Sequence, residues 1–220
     1  MPAALNGDYT SYPEAIKETL PYIAGETCEL QQAWSVYHRL FMDDARLTAI
    51  ISHRLGPLLR LFQTTLQDVM FLSIARLTDK DNPSQPNLSL WCLQEAVPFA
   101  TTREFRVQVN DMLQTISRAA DKVRKHRHKR IAHFDRNVSL KAAELPDVTL
   151  AEIRAVIELI DRFLNLFFWE FEQTTVRFDM LSAHDVTGVA EVTALKAHVY
   201  DILEKDGTIP ASEWKRHWKV

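Results

Sequence analysis

Apolar residues recur along this chain at three- and four-residue spacings, the mark of amphipathic helices rather than strands. The clearest stripe is Phe105, Val109, Met112, Leu113, Ile116, Ala119, Ala120 and Val123, on a long helix opened by the capping-box spacing Thr101-Thr102-Arg103-Glu104. A second box, Thr149-Leu150-Ala151-Glu152, precedes a helix presenting Ile153, Val156, Ile157, Ile160, Leu164, Phe167, Phe168 and Phe171 to the core. Nearer the start, Ser11-Tyr12-Pro13-Glu14 predicts a brief helix that stops near Pro21, and Glu26 to Met42 predicts another with Leu30, Ala33, Trp34, Tyr37 and Phe41 on one face. Asp43 and Asp44 suit the negative first turn of the next helix, toward His53. Gly56-Pro57 marks a boundary or kink before Leu58 to Leu77, which is apolar nearly all round and is expected to be the most buried element.

A polar loop, Asp79 to Asn87, precedes a short helix from Leu88 to Val97 with Asn87 as its expected cap. Beyond Asn137 a linker leads to Thr149. Periodicity is lost from Arg177 to Thr187, and Gly188 to Lys205 reads as a terminal helix. The tail sets Trp214 and Trp218 among Lys215, Arg216 and Lys219, packed on the body or in contact with a partner or nucleic acid.

These periods, with only five glycines in 220 residues, predict an all-α fold of four long helices and additional short ones. A hydrophobic content of 46% suffices for one sizeable core. We expect a lead with a short helix over 1–24, a helical domain over 25–176, and a C-terminal helix with a basic, aromatic tail over 177–220. Cys28 and Cys92 have neither metal-like spacing nor a disulfide framework, which points to a reducing cytoplasm. Met1 to Asp8 lacks the basic start and apolar core of a signal peptide. Ile153 to Phe171 carries Arg154, Glu158, Asp161, Arg162 and Glu170, so it reads as a core helix and no membrane span is expected.

Charge changes the picture. Between Arg118 and Arg136 eight basic residues stand against two acidic ones, a net +6 in a chain of net −3, leaving −9 for the rest. Such a concentration suits a polyanion, RNA first among them, because His126 and His133 lie inside it and titrate near neutrality. If the long helix continues, Arg127, Arg130 and Phe134 extend its apolar stripe, each within roughly 40° of its centre. A guanidinium on an inward face needs an anion, a paired carboxylate or a water-filled cleft. The plainer reading is a solvated helix end whose cations complement the helix dipole. His126 and His133 are too far apart along a helix to share a metal ion without other ligands, so neither metal nor cofactor is expected.

Arg127-His128-Lys129-Arg130-Ile131-Ala132-His133 resembles the R-x4-6-H signature of the HEPN superfamily (higher eukaryotes and prokaryotes nucleotide-binding). Ala132-His133-Phe134-Asp135, Ala75-Arg76-Leu77-Thr78-Asp79 and Asn87-Leu88-Ser89-Leu90 resemble more narrowly its abortive-infection branch of U type. The resemblance spans roughly residues 25 to 175. It implies metal-independent cleavage of RNA through 2′-hydroxyl attack, in a homodimer whose two motifs face one cleft. His133 would then be general base or acid, and Arg127 would neutralise charge at phosphorus. Arg124, Lys125, His128, Lys129 and Arg130 would hold flanking phosphates, with Arg76, Asp79 and His126 in support. For Arg76 and Asp79 an ion pair closing their own helix is the favoured alternative.

In an unbroken helix Arg127 and His133 project roughly 120° apart, so either the helix bends near Ile131 or a second chain completes the site. The function expected is a toxin or abortive-infection effector in phage defence, with a cognate antitoxin as a possible further partner. Two alternatives stand beside it: a non-catalytic RNA- or nucleotide-binding module, and a helical adaptor docking an acidic protein.

Overall fold

The computed structural model describes residues 9–43, 45–80, 87–132 and 144–179, with Lys205 and Gly207, and gives 45–56 and 132 as backbone only. The fold is all-α. After a 3-10 turn at Tyr9–Ser11 come α1 (Glu14–Phe41), α2 (Ala45–Thr78), α3 (Leu90–Glu95), α4 (Arg103–Ala119), α5 (Asp121–His126), a π-helical turn (Arg127–Ala132) and α6 (Leu150–Glu172). Two compact units divide the chain, one of residues 1–34 and 66–181, the other of 35–65 and 182–220.

The first unit is built round α6. Its stripe of Ile153, Val156, Ile157, Ile160, Phe163, Leu164, Phe167 and Phe168 is buried, with α4 packed along it. Phe105 of α4 meets Phe167 edge-on at 5.4 Å, and Tyr12 meets Phe168 edge-on at 6.5 Å, so aromatic quadrupoles add to the burial of area. From α1 come Ile16, Leu20, Ile23, Ala24 and Leu30, and from the end of α2 Met70, Phe71, Ile74, Ala75 and Leu77, all buried. Asn165 pins the chain beyond α6, accepting from Val176 N–H at 2.7 Å and donating to its carbonyl at 3.0 Å.

In the second unit Tyr37 is buried beside Phe41, and Gln63 donates to its hydroxyl at 3.2 Å. Asp43 accepts from His38 at 2.7 Å and lies 3.4 Å from Arg39, so it closes α1 instead of opening α2.

Several boundaries differ from those expected. Pro21 lies inside α1, which runs unbroken where two helices were foreseen. One lost ladder bond, about 3 kcal/mol, is outweighed by the stripe that continues from Ile16 and Leu20 to Ile23, Ala24 and Leu30. Pro57 likewise lies within α2 and is itself exposed. The segment Leu58 to Leu77 is not the most buried. Leu58, Leu61, Phe62 and Val69 are exposed, and apart from Leu59 the buried positions begin only at Met70, because apolar character alone does not bury a helix face.

Caps moved by a residue or two. Thr102, not Thr101, caps α4 by accepting from Phe105 N–H, while Thr101 donates to the Pro98 carbonyl at 2.7 Å. Ser89 rather than Asn87 precedes α3. Thr149 and Glu152 form the reciprocal capping box foreseen for α6. The expected linker lies mostly outside the described residues, and the expected terminal helix and the tryptophan tail outside them apart from Lys205.

Candidate functional site

The basic run does not continue α4 as one straight helix. At Ala120 the backbone turns (φ −81°, ψ −3°), α5 restarts at Asp121, and at Arg127 the winding widens to π. Bonding i→i+5 puts about one extra residue into each turn and is frequent at functional sites. The winding over 127–132 thus departs from α geometry, which changes the angle between successive side chains there. His133 lies outside the described residues.

Arg124 secures the junction. Its guanidinium donates to the Ser117 carbonyl at 2.7 Å and to Thr78 Oγ1 at 3.3 Å, and stands 3.8 Å from Asp121. Thr78 Oγ1 in turn donates to the Ile74 carbonyl at 2.7 Å. The end of α2 is thereby tied to α5, one turn before the R-x5-H arginine.

Arg127 comes next on that face, and Asp79, just past the end of α2, meets it at 3.3 Å. The inward guanidinium thus finds the paired carboxylate that physics demands. Arg76 does not pair with Asp79 as favoured from sequence; it reaches Glu26 of α1 at 3.4 Å. The i, i+3 spacing gives way because tertiary packing brings Glu26 to Arg76 and Arg127 to Asp79.

These groups share a cavity of about 430 Å³ lined by Tyr22, Glu26, Arg76, Asp79, Asn87 and Arg127, with apolar wall from Ile23, Leu77 and Leu88. Of the motif stretches noted in the sequence, Arg76 to Asp79, Asn87-Leu88 and Arg127 converge here. Tyr22 and Glu26 were missed. They lie one turn apart on α1, off its apolar stripe, and nothing local to them announces a site.

Other members of the basic run point elsewhere. Arg130 pairs with Asp68 at 2.5 Å and lies 5.7 Å over the Phe71 ring. Lys125 pairs with Asp121 at 2.8 Å, which lowers the Asp121 carboxyl below its usual range, chiefly through that hydrogen bond. His126 is packed edge-on to Phe71 at 5.4 Å with Nε2 2.7 Å from the Pro146 carbonyl. Since a carbonyl only accepts, Nε2 carries the proton, while Nδ1 is buried without a partner. His128 and Lys129 are exposed on the π turn. Lys122 reaches Glu152 at 2.6 Å, and that bond with those from Thr149 pushes the Glu152 carboxyl down to about 2.

Among the described residues no group of three or more His, Cys, Asp or Glu could hold a metal ion, and no helix is long and apolar enough to cross a membrane.

An all-α fold with an R-x5-H arginine on the π turn after α5, facing an acidic group just past the end of α2, has the makings of a HEPN domain. The HEPN_AbiU2 family model, described as AbiU2, matches residues 14–191, and the chain belongs to that family, an abortive-infection branch of the HEPN superfamily. No curated protein and no solved structure matches it.

Proposed function

We propose that the protein is a metal-independent endoribonuclease, a toxin or abortive-infection effector of phage defence acting in the cytoplasm. The observation that carries this reading is the Arg127 side chain. It is about one-third exposed (34%) at the wall of the cavity, and its partner Asp79 is itself one-quarter exposed (25%). A pair so wetted is weakly held and open to competition from a phosphate. Arg127 meets the charge that builds on phosphorus, and His133, six residues on, moves the 2′-hydroxyl proton or protonates the leaving 5′-oxygen. The products carry a 2′,3′-cyclic phosphate and a 5′-hydroxyl.

The domain over 25–176 works as a homodimer, in which an isologous interface brings each motif to its own copy in one composite site. Lys125, His128, Lys129 and Arg130, all exposed, hold the flanking phosphates. Arg124, held by Ser117 and Thr78, serves instead to fix the junction. A cognate antitoxin would act by covering the cleft.

The test is cleavage of single-stranded RNA by the wild-type chain, Arg127→Ala and His133→Ala. Each substitution is expected to cost ~10²–10⁴ in rate. In mixed dimers of the two variants a composite site regains one copy of each group across the axis. Full activity with cyclic-phosphate ends in a homodimer lacking His133 would refute the mechanism. RNA binding without cleavage by the wild-type chain would favour the binding-module alternative.

A further inference from the structure

The cavity holds more than a phosphate needs. Two side chains at its rim, Tyr22 (59% exposed) and Leu88 (52% exposed), belong to the small set of large apolar groups left open to water, and both line this one space. Beneath them Ile23 and Leu77, each 1% exposed, supply an apolar floor. Between rim and floor stand the Arg76–Glu26 pair and the Asn87 side chain. An aromatic ring and aliphatic walls beside a row of polar groups suit a flat heterocycle with hydrogen-bonding edges, and about 430 Å³ falls in the range of small-ligand sites. Arg127 at the same wall adds a place for an anion.

We propose that this cavity is the base-specificity subsite of the enzyme and that it takes a guanine next to the scissile phosphate. The proposal rests on the ribonuclease reading for its biological meaning, though not for its binding chemistry. Glu26 and Tyr22 sit one helical turn apart on α1, so ring and carboxylate project to the same side. Arg76 lies 3.4 Å from Glu26 Oε1 in a pair open to water, which sets the guanidinium beside the carboxylate. Side by side, the guanidinium and the carboxylate read as a donor followed by two acceptors. The guanine edge reads as O6 acceptor, N1–H donor and N2–H donor, the complement of that row. Adenine and cytosine offer one donor group beside acceptors, and uracil one donor between two acceptors. Tyr22 stacks on the base irrespective of its identity, so it sets affinity while Glu26 sets choice. With a base seated here, its phosphate reaches Arg127 and displaces Asp79.

The experiment maps cleavage ends on a randomised single-stranded RNA for the wild-type chain, Glu26→Gln and Tyr22→Leu. It also measures binding of the four nucleoside 5′-monophosphates to His133→Ala protein with and without Glu26→Gln. Wild-type ends should be enriched for guanosine at one position beside the cut. Glu26→Gln should flatten that preference, because an amide offers a single acceptor. Tyr22→Leu should keep guanosine in first place and raise KM by roughly 5- to 100-fold, the range of one lost base stack. Guanosine monophosphate should bind tightest of the four, with that lead lost in Glu26→Gln. Both substituted positions lie at the cavity surface, and thermal melting will verify that the variants fold. Cleavage with no base preference, or with the same preference in Glu26→Gln, overturns the subsite and leaves the ribonuclease standing. Glu26-dependent guanosine monophosphate binding in a chain that cuts no RNA supports the subsite and overturns the ribonuclease.

Discussion

Asp161 offers the sharpest test of the energetics. It sits on α6, where Gln31 of α1 donates to its Oδ2 while its Oδ1 is buried without a partner. Burial is the chief reason its carboxyl is raised to about 6; the Gln31 bond opposes the rise, and the charges of Asp179 and Glu158 reinforce it. Asp179 is itself held by Arg177 at 2.7 Å, and Cys28 is the other titratable group on α1 near this carboxylate.

The sign follows from where the proton sits. Below about pH 4 folded and unfolded chains both hold it and no penalty arises. Between 3.8, the ordinary value, and about 6 the unfolded chain releases its proton while the folded chain keeps it, so stability falls as pH rises. Above that window the penalty is full and constant. At about 1.4 kcal/mol per tenfold change the ceiling is about 3 kcal/mol. Because the carboxylate is only partly withdrawn from water, screening reduces this to about 1–2 kcal/mol.

Asp161→Asn removes the charge and retains an acceptor for Gln31, although one amide hydrogen-bonding group inherits the unpartnered position. A net gain of about 1 kcal/mol is expected at pH 8, some 2–4 °C in melting temperature for a chain of this size. That gain should vanish near pH 4. Urea denaturation of both proteins at pH 4, 6 and 8 measures it. A variant no more stable than wild type at pH 8, or one whose advantage persists undiminished at pH 4, would refute the reasoning.

Phe167→Ala should destabilise by about 3–5 kcal/mol, since the ring is fully buried against Phe105 and Phe163; chemical denaturation checks it. Thr149→Ala should cost about 1 kcal/mol by removing the α6 cap, read the same way. Arg124→Ala leaves the Ser117 carbonyl and Thr78 without their donor, and a loss of about 1–3 kcal/mol is expected together with reduced RNA cleavage. Affinity for single-stranded RNA should fall steeply between about 50 and 300 mM salt, and a flat titration would exclude phosphate contacts by the basic run. Light scattering should give the dimer mass at micromolar concentration; a monomer would remove the composite site.

Local rules made much of the architecture legible. The stripes at 3.6-residue period specify α4 and α6 because amphipathic helices must bury one face, and the Thr149–Glu152 box fixes where α6 starts because its four atoms lie within one turn. The gathering of positive charge and the R-x5-H spacing were equally plain, being properties of neighbours in the chain. Tertiary packing decided what local rules could not. It carried helices through Pro21 and Pro57, and it left Leu58, Leu61 and Phe62 in water although their segment reads as core. It also chose partners. Arg76 ignored Asp79, three residues away, for Glu26, fifty residues away, and Asp79 went to Arg127 instead. Ion pairing in a wetted cleft depends on which side chains three helices bring within about 4 Å, and weak exposed pairs have no strength to enforce a local choice against that geometry.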